Sequence, residues 1–420
     1  MFNKTVLPNG LRVLTSAMPH TRSVSASIYF GAGSRYESPE QAGISHFVEH
    51  MLFKGTTKRP RPEDISGVVE NVGGIQNAAT DRELTVYWCK VAKPHFDEGL
   101  DVLLDMVHHS LFDPREIQKE RNVILEELNQ VQDSPSELAG LLIDSTVWPE
   151  QPLGRDVGGS KETVSGISRE MLLSYLHQQY DPANTVVSIA GDVIHGEVVA
   201  TLERSLGEWR PGAPVAFYPA EDGQKQPRMN LLSRKSEQAH LCLALPGLSS
   251  QNRDRYALGL LNVILGEGMT SRLFLEIRER RGLAYDVHSY VSHFLDTGAV
   301  TVYAGVDPKN AAATLQAVLD LLLALRDTLT EGELNKAREL TKGRMLLRME
   351  DTRAVSSWMG GQELLNREVK TVDEITAVID AVTIEDLRRV AQQLIDKDRL
   401  NLAVVGPFRS PSRFAKIIGA

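Results

Sequence analysis

The stretch Gly43-Ile-Ser-His46-Phe-Val-Glu49-His50-Met-Leu-Phe-Lys54-Gly55 carries residue types that can do chemistry together. Read as a helix ending near Lys54 and Gly55, it sets His46 and His50 at i and i+4. Two imidazoles on one helix face can share a tetrahedral Zn²⁺ at about 2.0–2.1 Å. Glu49 stands beside them, where a base for an attacking water is required. The order H-x-x-E-H is the reverse of H-E-x-x-H. With 11 histidines among 420 residues, the plain alternative is a solvated helix that holds two by chance. A third ligand is needed.

The candidate lies on the helix from Asp113 to Val131, which opens with Asp113 as N-cap, Pro114 at N1 and Glu116 at N3. At about 100° per residue from Ile117, the residues Ile124, Leu128 and Val131 fall within about 40° and form its apolar stripe. Glu120 and Glu127 border that stripe at about −60° and −80°, whereas Glu126 faces out near 180°. A ligand must face the packed interior, so Glu127 is preferred over its neighbour. Glu120 can orient a ligand or a nearby water. The bland alternative makes all three glutamates a solvated face.

His46-Phe-Val-Glu49-His50-Met-Leu-Phe-Lys-Gly-Thr56, together with Glu120-Arg-Asn-Val-Ile-Leu-Glu-Glu127, resembles the pitrilysin family. That family includes the insulin-degrading and mitochondrial processing peptidases and their bacterial relatives. The resemblance implies that His46, His50 and Glu127 ligate zinc, that Glu49 is the base and that Glu120 is a supporting acid. It implies an edge strand in Gly73-Gly74-Ile75-Gln76-Asn77-Ala78-Ala79-Thr80, where an extended peptide pairs through its main chain. Asn77 and Ala78 are carried over as substrate-binding. The alternative there is a pair of glycines that ends a helix. In the second half, Ser271-Arg-Leu-Phe-Leu-Glu-Ile-Arg278-Glu-Arg-Arg-Gly282-Leu-Ala-Tyr285 resembles the family's arginine–tyrosine pair. Arg278 and Tyr285 are then donors toward a developing oxyanion. Against this stands a basic helix end capped by Gly282, with Tyr285 in the core. Residues 250–275 offer no histidine, so one zinc per chain follows.

Two similar halves position these residues. Residues 11–30 alternate and read as a strand hairpin. Helical patterns follow at about 42–54, 62–72, 95–109 and 114–132, with a strand at about 84–92. Ser168 and Thr383 are N-cap candidates. Each opens a helix, a turn and a strand that ends at Gly191 or Gly406. Both spacings are 215 residues, which indicates an internal duplication. The expected organisation is a catalytic domain over 1–206, a proline-bearing linker over 207–228 and a homologous domain over 229–420. The fold class is α+β, with two duplicated domains that each pack a mainly antiparallel sheet against helices.

A net charge of −9 argues against a phosphate-binding surface, hence against nucleic acid as partner. Cys89 and Cys242 lie in apolar runs and read as buried free thiols. No apolar run reaches the ~18 residues of a membrane span. No basic and apolar leader opens the sequence, so the expected location is the cytoplasm unless a presequence was removed. The expected partners are peptide substrates and a second copy of the chain. The family resemblance adds a chamber closed by two such subunits. A heterodimer with a related subunit is one rival; a non-catalytic scaffold, like the core subunits of a respiratory complex, is the other.

Overall fold

The computed structural model describes residues 2–420. In chain order the first half contains β1 (Asn3–Val6), β2 (Arg12–Ala17), β3 (Ser23–Phe30), α1 (Ile44–Met51), α2 (Pro62–Glu70), β4 (Ile75–Thr80) and β5 (Thr85–Ala92). Then come α3 (Phe96–His109), α4 (Pro114–Asp133), α5 (Pro135–Val147), α6 (Lys161–Gly166), α7 (Arg169–Gln179), β6 (Thr185–Gly191) and α8 (His195–Leu206). The second half contains β7 (Arg228–Ser233), β8 (Ala239–Pro246), α9 (Arg255–Gly266), β9 (Ala284–His293), β10 (Gly298–Val306), α10 (Ala311–Leu325) and α11 (Glu331–Arg348). It closes with α12 (Thr352–Asn366), α13 (Val372–Ala381), α14 (Ile384–Leu394), β11 (Asn401–Gly406) and α15 (Ser412–Ile418).

The architecture is α+β, with two mixed sheets of order β1-β2-β6-β3-β5-β4 and β7-β11-β8-β10-β9. Each has one parallel pair, β2 with β6 and β7 with β11; the other pairs are antiparallel. The hairpin expected over 11–30 does not form. β6 lies between β2 and β3, so the paired hairpin is β1–β2, turning at Pro8–Gly10. Ser168 Oγ accepts from Met171 N–H and Thr383 Oγ1 from Asp386 N–H, so both are N-caps. Cys89 and Cys242 are buried free thiols. Among the described residues, no helix is long and apolar enough to cross a membrane.

The chain divides into two compact units, and neither is one continuous stretch. The first comprises residues 1–128, 156–218 and 346–371; the second comprises 129–155, 219–345 and 372–420. Each contiguous half therefore gives one helix to the other unit, α5 in one direction and α12 in the other. Shifted by 215 residues, Pro135–Val147 falls on 350–362 and overlaps α12, so the traded helices are counterparts.

In the first unit, β3 is buried on both faces. Val24, Ala26, Ile28 and Phe30 join the main core with α1, α3 and α7 residues. Ser25, Ser27 and Tyr29 meet α12 on the other face: Ser25 Oγ bonds Thr352 Oγ1 at 3.0 Å and Ser27 Oγ bonds Ser356 Oγ at 2.8 Å. Gly360 permits this close approach, since a Cβ there would sit 2.3 Å from the Tyr29 ring. In the second unit the centre of the matching interface is apolar, with Asn230 of β7 donating to Thr146 Oγ1 at its side. Leu138, Ile143 and Val147 of α5 pack on Cys242 and Ala244 of β8 and on Ala403 and Val405 of β11.

Candidate metal centre

α1 is shorter than the expected 42–54 span and carries only eight residues. So short a helix has little stability of its own, and tertiary packing must hold it. Ile44, Phe47, Val48 and Met51 are buried in the core. Its N-terminus is fixed by Glu37, a buried carboxylate that accepts from Gly43 N–H at 2.8 Å and Ser45 N–H at 2.9 Å. An acid there satisfies free amides and opposes the positive end of the helix dipole. Gly43 has φ 94°, and a Cβ on it would lie 2.6 Å from Gly158 O, so glycine is required.

This anchoring turns His46 and His50 the same way, with their Nε2 atoms 3.2 Å apart. Glu127 Oε2 from α4 stands 3.9 Å from His46 Nε2 and 3.6 Å from His50 Nε2. Three ligands at about 2.0–2.1 Å in a tetrahedron stand about 3.3–3.5 Å from one another, so this set fits Zn²⁺ once Glu127 moves in by about half an ångström. The donor chemistry agrees. Burial, helped by the His50 charge, lowers the His46 pKa to about 4, which keeps its ring neutral and its lone pair available.

The other ring nitrogen of His50 is also occupied. His50 Nδ1 meets Glu120 Oε2 at 3.1 Å, and Glu120 Oε1 meets Lys54 Nζ at 2.8 Å. Burial opposes a charge on His50, but Glu120, Glu127 and Glu49 together outweigh it and raise its pKa. Burial likewise raises the carboxyl of Glu120, and the His50 and Lys54 contacts more than reverse this. A carboxylate on Nδ1 fixes the tautomer that leaves Nε2 free for a metal. On α4, Ile117, Ile124 and Leu128 are buried as expected, but Val131 is only half-buried, because the helix leaves the first unit's core after Leu128. Glu126 is exposed.

Glu49 lies beside this set, and burial raises its pKa above the usual carboxylate range. Its Oε2 accepts from Thr80 Oγ1 at 2.7 Å. Thr80 ends β4, the outermost strand of the first sheet, which pairs only with β5. The sequence reading missed two supports, Glu37 and Thr80. Glu37 stood six residues before Gly43 as a charged residue ahead of a helix, a weak signal. Thr80 had none.

Asn77 and Ala78 sit on that same edge strand, Asn77 exposed with its Oδ1 accepting from Ala78 N–H at 2.8 Å. Arg278 and Tyr285 belong to the second unit. Arg278 lies on a π-type turn, Phe274–Arg280, with its guanidinium carbon 4.6 Å from the Tyr285 ring centroid and 4.8 Å from that of Phe274. Tyr285 is 75% exposed, so it is not a core residue. Arg280 and Arg281 pair with Glu276.

Residues 12–161 match the family model described as Insulinase (Peptidase family M16), and residues 166–341 match Peptidase M16 inactive domain. An uncharacterised zinc protease of Streptomyces coelicolor is 38% identical over 97% of this chain and 90% of its own length. One of Bacillus subtilis is 36% identical over 97% and 98%. Among solved structures, a protease from Helicobacter pylori superposes with TM-score 0.91 at 21% identity, covering 96% of this chain and 99% of that one. A chain of Complex III2 from Candida albicans reaches 0.86 at 18%, covering 99% of each, so the fold alone is common to an enzyme and a respiratory assembly. With relatives this similar over nearly its whole length, the chain belongs to the insulinase family of peptidases, M16.

Proposed function

We propose that this chain is a zinc-dependent endopeptidase that hydrolyses short or unfolded peptides. The observation that carries the reading is the convergence of His46, His50 and Glu127, whose ligand atoms lie within 4.8 Å of one another. Zinc held by these residues supplies Lewis acidity toward the scissile carbonyl and acidifies an attacking water. Glu49 takes the water's proton and passes it to the leaving amine. Glu120 keeps the His50 ring in register. The free edge of β4 at Asn77 and Ala78 pairs with the peptide main chain, which gives affinity with little demand on side chains. Arg278 and Tyr285 donate to the oxyanion. Two copies close into a chamber, with the second unit of one completing the site of the other.

Metal analysis and peptide digestion read by mass spectrometry test the reading. The purified chain is expected to hold about one zinc and to cleave peptides until a chelator is added. Glu49→Gln should keep the zinc and lose cleavage. Turnover that survives in Glu49→Gln removes Glu49 as the base, and a chain that neither binds zinc nor cleaves removes the whole reading.

A further inference from the structure

Along β4 exposure alternates: Ile75, Asn77 and Ala79 are exposed, whereas Gln76, Ala78 and Thr80 are half-buried. Thr80 is thus on the sheltered side of the strand whose open edge is available for pairing. Its hydroxyl donates to Glu49 Oε2 at 2.7 Å. The hydroxyl has one proton, so this donation fixes its direction. Behind it, Thr85 Oγ1 lies 3.4 Å from Thr80 Oγ1 and donates to Ala32 O at 3.0 Å. Thr85 is fully buried and is the register partner of Thr80. Thr85 backs the Thr80 hydroxyl from the sheet interior, and that hydroxyl engages Glu49 through Oε2.

We infer that Thr80 is a positioning residue: its bond to Oε2 sets the orientation in which Glu49 meets the reacting water, and it ties that orientation to the strand that receives the peptide. This rests on the base role given to Glu49 above. A peptide that pairs with β4 then steadies the base as well as the substrate, and loss of the hydroxyl should act on turnover more than on binding.

The test uses the full zinc-loaded chain with Thr80→Val, Thr80→Ser and Glu49→Leu, plus the Thr80→Val/Glu49→Leu double variant. Zinc content, thermal midpoint and hydrolysis of a short quenched peptide are measured. Thr80→Val should keep its zinc and hold KM within about twofold, while kcat falls about 10- to 100-fold, part of what an oriented base contributes. Thr80→Ser, which keeps the donor, should recover most of that loss. The midpoint shifts should be non-additive, because the double variant removes donor and acceptor together. Thr80→Ala is read in the same way should the valine variant not fold. Wild-type kcat in Thr80→Val, a loss confined to KM, a serine variant as slow as the valine one, or additive midpoint shifts would each overturn the inference. The midpoint cycle needs no turnover. A wild-type chain that cleaves nothing therefore ends the peptidase reading, while the cycle still decides whether Thr80 holds Glu49.

Discussion

Lys54 and His50 grip opposite oxygens of one carboxylate: Glu120 Oε1 meets Lys54 Nζ at 2.8 Å and Oε2 meets His50 Nδ1 at 3.1 Å. Both come from the α1 segment and Glu120 from α4, so one acid links the two parts that carry His46, His50 and Glu127. Glu120→Gln should weaken zinc binding about 10- to 100-fold, the usual cost of losing a ligand's outer partner. Lys54→Met should weaken it less, since Glu120 keeps its bond to His50. Competition with a chromophoric chelator ranks the two variants. Equal affinity in Glu120→Gln and the wild type would show that the His50 ring is held by something else.

Glu127→Gln should lose most of its zinc, and Glu126→Gln should keep it. Among the described residues, only Glu127 brings an oxygen within 4 Å of both Nε2 atoms, while Glu126 is turned to solvent. Zinc content of the two purified variants gives the answer, and the reverse order would move the third ligand.

Mixing two dead variants tests the shared site. Glu49→Gln and Arg278→Ala should each be nearly inactive alone. In a heterodimer one site carries both lesions and the other neither. About half of normal activity per heterodimer should return if the sites act independently. Native mass spectrometry shows whether subunits exchanged. Exchange without recovered activity would leave the peptidase and remove the shared site.

His108 gives a pH signature unrelated to zinc. Its ring packs edge-on against Trp209 at 4.5 Å, and its buried Nε2 has no hydrogen-bond partner. Burial first, then the neighbouring His109 charge, lowers its pKa to about 4 from 6.5. As pH falls below 6.5 the unfolded chain takes up this proton and the folded chain does not. Stability from the neutral ring is therefore intact above pH 6.5 and lost down to about 4. The loss is at most about 3.4 kcal/mol, and less because the ring is part-exposed. His108→Phe should flatten the slope of thermal midpoint against pH in that window. An unchanged slope would show that the ring titrates normally.

The readable parts of the site were those set by local geometry. His46 and His50 are one helical turn apart, and the apolar stripe of α4 is enough to choose Glu127 over Glu126. Thr80 and Glu49 are 31 residues apart and meet only because β4 comes to lie beside α1. Periodicity gives no hint of that. β3 shows the same limit. Its serines alternate with apolar residues, a pattern that ordinarily means one wet face, yet Ser25 and Ser27 are fully buried under α12. The pattern gave the strand and its two faces, but the cover came from more than 300 residues away.

The traded helices bear on how the chain is made. The ribosome releases His46, His50 and Glu127 early, since all three lie before residue 128. The first sheet nevertheless keeps one face bare until α12 emerges at residue 366. A nascent chain paused at the linker would expose buried hydroxyls that have no partner yet. A gene cut at the linker would likewise yield two fragments, each missing a helix that the other encodes. Neither fragment could finish folding alone, so a duplicated gene of this design stays a single reading frame or its products must be made together.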